Sequence, residues 1–165
     1  MNAKLKDVKD LVLAGDGRHD SMGHSAKYCA YTLFSCNDLH NQIVDFSLVQ
    51  RNEAGSSPAM EYLGFSRSTD KVFKSGLDFT TFVSDRHSSI TKHMKEKLPK
   101  ITHYFDLWHL TKKVSKVLNK IAKEKGFEAL VPWVKPCVNH LYWCATSTLD
   151  GEVIWAKLRS DMGKI

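Results

Sequence analysis

Five short stretches rich in apolar, aromatic and β-branched residues predict five β-strands, because polar or glycine-containing segments bound each of them. A polar segment of hairpin length separates the second stretch from the third, so the first three strands are predicted to form a meander. The strands are expected near residues 10–15, 28–35, 42–50, 79–84 and 101–105.

Three helices are predicted between and after these strands. Pro58 stands where a first helix would begin, and that helix runs toward Gly76. Apolar residues four apart, from Ile90 to Leu98, predict a surface helix that Pro99 ends. A third helix is predicted over 107–125, where an apolar stripe lies on the side of the helix opposite a row of lysines. Gly126 is predicted to be its left-handed C-terminal cap. The resulting order is strand, strand, strand, helix, strand, helix, strand, helix.

Two aspartates carry the candidate chemistry, because each closes an apolar run: Asp16 after the first strand and Asp85 after the fourth. Carboxylates at the carboxyl ends of strands point into the crevice where α/β sheets bind ligands. If the two strands are neighbours, the carboxylates can hold divalent cations about 3.5–4 Å apart, the clamp used for phosphodiester displacement. The alternative for Asp85 is an N-cap of the following helix.

Two further aspartates are weaker candidates for the same site. Asp20 lies just beyond Asp16 and could exchange roles with it. Asp106 closes the fifth strand, whose distance from the first strand, about 10 Å across two strand spacings, favours capping or a supporting role beside the site over metal binding.

Four segments resemble transposase-derived proteins of animal genomes, specifically a Kolobok-like group of DDE transposases. They are residues 15–28, Ser84-Asp85-Arg86-His87, 103–109 and 139–144. The resemblance implies an α/β, RNase H-like fold whose five-stranded mixed sheet has the order 3-2-1-4-5 and is flanked by helices. It also implies that Asp16 and Asp85 are catalytic residues and ligands of Mg²⁺ (or Mn²⁺), and that the complete protein cleaves and transfers DNA strands, acts in the nucleus and forms homo-oligomers.

The resemblance also implies a third acidic residue, a glutamate on a helix after a helical insertion, and no matching segment occurs in this sequence. A zinc-binding DNA-recognition domain, which often precedes the core in the family, is not found either. We therefore expect a fragment: a partial core over 8–126, and a helical segment over 127–165 that begins the insertion. Such a chain is expected neither to nick nor to join DNA. A domesticated or decayed fragment that only binds DNA or protein is the alternative, and a structure-specific nuclease on the same fold is a third.

Charge agrees with a nucleic-acid partner. The net charge is +6 and the isoelectric point is about 9.1, although many of the lysines also form the solvated face of the third helix. The candidates for phosphate contacts are Arg86, His87, His109, Lys112 and Lys113. No apolar run approaches the roughly 20 residues of a membrane span, and the first residues lack a secretory apolar core, so the chain is expected to be intracellular.

A possible zinc ligand set occurs near the end of the chain. Cys137, His140 and Cys144 have suitable spacing, but the helical apolar pattern around them favours core packing over metal binding.

Overall fold

The computed structural model describes Leu5, residues 8–21, 25–37, 41–147 and Ile154. The described residues form two compact units, Met1–Phe105 and Asp106–Ile165. The domain boundary that the sequence predicts at residue 126 stays a prediction. The first unit contains β1 (Val12–His19), β2 (Tyr28–Ser35), β3 (Gln42–Gln50), α1 (Arg51–Ala54), α2 (Ser57–Lys74), β4 (Thr81–Ser84), α3 (Ser88–Lys97) and β5 (Thr102–Phe105); the second contains α4 (Leu107–Ile121), a 3-10 helix (Glu128–Trp133) and α5 (Val134–Thr146).

The sheet has the strand order β3-β2-β1-β4-β5. β1 and β2, and β2 and β3, are antiparallel neighbours, whereas β4 is parallel to both β1 and β5. This confirms the predicted fold class, an α/β RNase H-like fold with a five-stranded mixed sheet. The bounds predicted for the second and third strands are those observed.

Helix α2 covers one face of the sheet and forms much of the core of the first unit. It begins after Ser56, whose hydroxyl accepts a hydrogen bond from the Ala59 amide at 3.3 Å. Pro58 is therefore the second helical residue, one position later than predicted. The ring of Phe65 lies 5.5 Å from that of Phe82 and 6.0 Å from that of Tyr31, centroid to centroid. The buried residues of α2 are Met60, Gly64, Phe65, Ser68, Thr69 and Val72.

The predicted extent of the third helix is wrong. Helix α4 ends at Ile121, with Ala122 as its C-cap, although the sequence predicted helix to residue 125. Ile121 is the last residue of the apolar stripe, and after Ala122 the residues 123–126 are all exposed, so no packing supports another turn. Gly126 does have a positive φ of 92°, but it lies in the following loop.

The second unit is held together by contacts between its helices. The hydroxyl of the buried Thr111 donates a hydrogen bond to the hydroxyl of Tyr142 at 2.9 Å, which joins α4 to α5.

In the described part of the chain, no helix is long and apolar enough to cross a bilayer.

Candidate active site

The register between β1 and β4 brings the two predicted catalytic aspartates to the same level of the sheet. The parallel pairing ends at Gly15 and Ser84, so Asp16 and Asp85 are the next residues on neighbouring segments. The sequence predicted that Asp16 ends the first strand, and this is wrong. β1 continues to His19 because its pairing with β2 extends that far.

Asp85 is positioned by backbone hydrogen bonds. Its Oδ1 accepts the His87 amide at 3.1 Å, and its carbonyl accepts the Ser84 hydroxyl at 2.9 Å. The N-cap of α3 is His87, whose Nδ1 accepts the Ile90 amide at 3.4 Å. The alternative that Asp85 caps α3 is therefore wrong. Asp85 is half-buried, and Asp16 is exposed, with its Oδ1 accepting the Gly17 amide at 2.9 Å.

A third acidic residue, Glu61 of α2, lies near both aspartates, and the sequence reasoning did not single it out. Burial, then the charge of Asp85, then that of Asp16, raise the pKa of Glu61 from 4.5 to about 8. A signal was present in the sequence: Glu61 precedes Gly64, Phe65, Ser68, Thr69 and Val72 at helical spacing, and all five are buried. An acidic residue on the inward stripe of a helix is expensive unless it has a partner or a function.

The same region contains a buried tyrosine under a negative potential. Burial raises the pKa of Tyr31 well above 10, and the charges of Glu61, Asp16 and Asp85 act in the same direction. Its hydroxyl lies against Gly15 and has no hydrogen-bond partner among the described residues. The charges of all three carboxylates thus act on the same buried hydroxyl.

The weaker aspartate candidates have structural contacts of their own. Asp20 Oδ1 accepts the amides of Tyr28 and Lys27, at 3.2 and 3.0 Å, and these bonds, that of Tyr28 first, lower its pKa. Asp106 is the N-cap of α4: its Oδ1 accepts the Trp108 amide at 2.9 Å and its Oδ2 lies 2.8 Å from Nδ1 of His109. Asp20 therefore fixes the β1–β2 connection, and Asp106 has the capping role that the sequence favoured.

The candidate phosphate contacts fall into both units. In the first, the guanidinium of Arg86 lies 5.1 Å from the centre of the Phe105 ring, and Nε2 of His87 is 3.1 Å from the Pro58 carbonyl. In the second, His109 is engaged with Asp106 as described. The ammonium of Lys112 lies 4.5 Å from the centre of the Trp108 ring, and Lys113 is exposed.

Metal-ligand geometry is not preformed in the part of the chain that the structure describes, which holds no group of three or more His, Cys, Asp or Glu side chains gathered to bind an ion. Of the possible zinc ligands, Cys144 is buried with its Sγ 3.3 Å from Nε2 of His140, whereas Cys137 is exposed. The buried Cys144 fits the core packing that the sequence favoured.

The raised pKa of Glu61 predicts a pH-dependent stability. Because the folded-state pKa exceeds the ordinary value of 4.5, neutral Glu61 stabilises fully below about pH 4.5, and this contribution is lost as the pH rises through about 8. In EDTA, Glu61→Gln is therefore expected to gain about 1–3 kcal/mol of unfolding free energy over the wild type between pH 5 and 8.5, after allowance for solvent screening. Urea unfolding at three pH values measures this. Glu96→Gln, on the exposed face of α3, is the control, and its unfolding free energy should differ from that of the wild type by the same amount at every pH. If the difference for Glu61→Gln is also the same at every pH, the raised pKa of Glu61 is contradicted.

Comparison with known proteins yields structural similarity alone. No family model and no curated protein matches the chain. The HTLV-2 integrase catalytic core domain in complex with magnesium is a similar solved structure: its dimeric form has 14% sequence identity and a TM-score of 0.38, over 90% of this chain and 83% of that one. The trimeric form has 13% identity and a TM-score of 0.38, over 92% and 84%. The fold assignment rests on the strand order and register described above.

Proposed function

We propose that this chain carries the core of a divalent-cation-dependent enzyme that cleaves and transfers DNA strands, of the DDE transposase type. The observation that carries the proposal is the β1–β4 register, which sets Asp16 and Asp85 side by side where β4 ends. This is the carboxyl edge of parallel strands, where α/β sheets bind their ligands. The Kolobok-like subgroup, the nuclear location and homo-oligomerisation stay predictions.

The chemistry of the donor set fits Mg²⁺ or Mn²⁺. Carboxylate oxygens are the ligands that these ions prefer. Burial first, and then the charges of Asp85 and Asp16, raise the pKa of Glu61, and a cation would offset those two charges. Asp16 and Asp85 would hold the ion. When bound, it would supply the positive charge that activates an attacking oxygen and stabilises a leaving oxygen.

The neighbouring side chains have roles that follow from their contacts. Arg86 is exposed, directly follows Asp85 and is held over the ring of Phe105, so its guanidinium is available to a phosphate beside the site. His87 is occupied by the helix cap and by the Pro58 carbonyl, so its role is to orient the loop after β4.

DNA is the proposed substrate because the chain carries a net charge of +6. The exposed lysines of α4 add a basic face in the second unit: Lys112, Lys113, Lys116 and Lys120. That face also favours a second candidate function, DNA binding without cleavage. Binding through phosphate contacts would be indifferent to sequence and would weaken steeply with salt.

The test uses supercoiled plasmid and Mn²⁺, with the purified chain and its Asp85→Ala variant. We expect nicked circles with the wild type and none with the variant or in EDTA. The sequence-based expectation of an inactive chain counted only two carboxylates. We expect activity because Glu61 is a third acidic residue whose pKa the two aspartates affect. Salt-dependent binding without nicking would favour the second candidate. If the chain neither nicks nor binds the plasmid, both candidate functions are contradicted.

A further inference from the structure

Two histidine contacts tie the first turn of α2, the helix that carries Glu61, to the sheet. Nε2 of His19, the last residue of β1, lies 3.1 Å from the Ser57 carbonyl. Nε2 of His87, just after β4, lies 3.1 Å from the Pro58 carbonyl. The first turn of α2 is thus tied to the end of β1 and to the segment after β4, and Glu61 follows one turn later.

Gly17 creates the space that Glu61 occupies. A Cβ at Gly17 would lie 2.5 Å from Cγ and 2.9 Å from Cδ of Glu61. The glutamate side chain therefore runs directly over the β1 backbone, one residue beyond Asp16. A side chain at position 17 would force the Glu61 side chain to shift from this place.

The Tyr31 hydroxyl is an independent sign of a ligand at this position. The side chain is completely buried, and its hydroxyl has no hydrogen-bond partner in the described structure. The hydroxyl lies against Gly15, which precedes Asp16 in β1 and pairs with Ser84, the residue before Asp85. A buried hydroxyl without a partner is exceptional, and a carboxylate drawn toward it by an ion would accept a hydrogen bond from it.

We propose that Glu61 is the third carboxylate of a cation site with Asp16 and Asp85, and that this site takes a hard divalent ion of the Mg²⁺ or Mn²⁺ type. The inference rests on the proposed function and deepens it, because it assigns the missing third acidic group to a residue of α2. Glutamate has three rotatable side-chain bonds, so its carboxylate can approach an ion without movement of the backbone.

Binding of Mn²⁺ tests the assignment without recourse to activity. Isothermal titration calorimetry and thermal unfolding would be carried out at pH 8.5 on the wild type, Glu61→Gln, Gly17→Ala and the control Glu96→Gln. Glu96 is exposed and its carboxylate lies 4.0 Å from Lys92, so Glu96→Gln should bind like the wild type. We expect Glu61→Gln and Gly17→Ala to weaken Mn²⁺ binding by at least about tenfold, the lower end of losses for groups that support a metal.

The outcomes separate this inference from the proposed function. Wild-type affinity in Glu61→Gln, with binding lost in Asp16→Asn, would overturn the role of Glu61 and leave the aspartate site intact. Absence of Mn²⁺ binding to the wild type would overturn the three-carboxylate site. Tight Mn²⁺ binding that depends on Glu61, with no plasmid nicking by the wild type, would support the site and contradict the proposed function.

Discussion

Asp16→Asn is expected to lower the rate of Mn²⁺-dependent plasmid nicking at least about 100-fold while leaving the fold intact. A carboxylate that holds the ion contributes to a charge stabilisation of several kcal/mol, and each 1.36 kcal/mol is tenfold in rate. The fold should not suffer because Asp16 is exposed and its Oδ1 accepts only the amide of the adjacent Gly17 in the described structure, a bond that an asparagine oxygen can also accept. Plasmid nicking rates and melting temperatures, with Mn²⁺ and with EDTA, measure both parts.

Asp20→Asn is the matched control, since Asp20 is the acidic residue that could have exchanged roles with Asp16. Its carboxylate binds two backbone amides of the β1–β2 connection. The variant should therefore nick plasmid at the wild-type rate and melt at a lower temperature. If Asp20→Asn loses nicking and Asp16→Asn retains it, the assignment of Asp16 is contradicted.

Gly64→Val is expected to lower the free energy of unfolding by about 3 kcal/mol, the upper part of the usual range for overpacking. Glycine inside a helix normally costs stability, and replacement by another residue would normally help. Here a Cβ would lie 2.5 Å from Cβ of Tyr31 and 3.5 Å from Cγ2 of Val49. The Tyr31 Cβ is bonded directly to the β2 backbone and cannot yield, so α2 must move away from the sheet.

Urea unfolding of Gly64→Val measures this effect against Asp70→Val, which places the same side chain on the exposed face of α2. The control should change the unfolding free energy by less than about 0.5 kcal/mol, because valine and aspartate have similar helix propensities and the position is exposed. Because Gly64 lies on the same helix face as Glu61, the shift of α2 should also weaken Mn²⁺ binding. Equal stability of the two variants would contradict the close approach of α2 to β2.

The hydrophobic pattern predicted the five strands and helices α2, α3 and α4, and the family resemblance implied the strand order. Apolar runs with β-branched residues gave the second and third strands to the residue, because their pairing ends where the apolar pattern ends. The end of β1 was different. Asp16, Gly17, Arg18 and His19 have no strand pattern of their own, and only hydrogen bonds to β2 keep them extended. Local composition cannot report a pairing that a partner strand imposes.

The candidate site divides in the same way. Asp16 and Asp85 were predicted because each stands next to an apolar strand in the chain itself. Glu61 was not, because its proposed role depends on the approach of α2 to β2 at Gly64, on the approach of the Glu61 side chain to β1 at Gly17, and on the two histidine contacts to the first turn of α2. The capping of α3 by His87 in place of Asp85 was likewise decided by the geometry of the loop after β4. Residue types and spacing determine which groups are present, but burial and the charges of residues distant in sequence decide which of them act together.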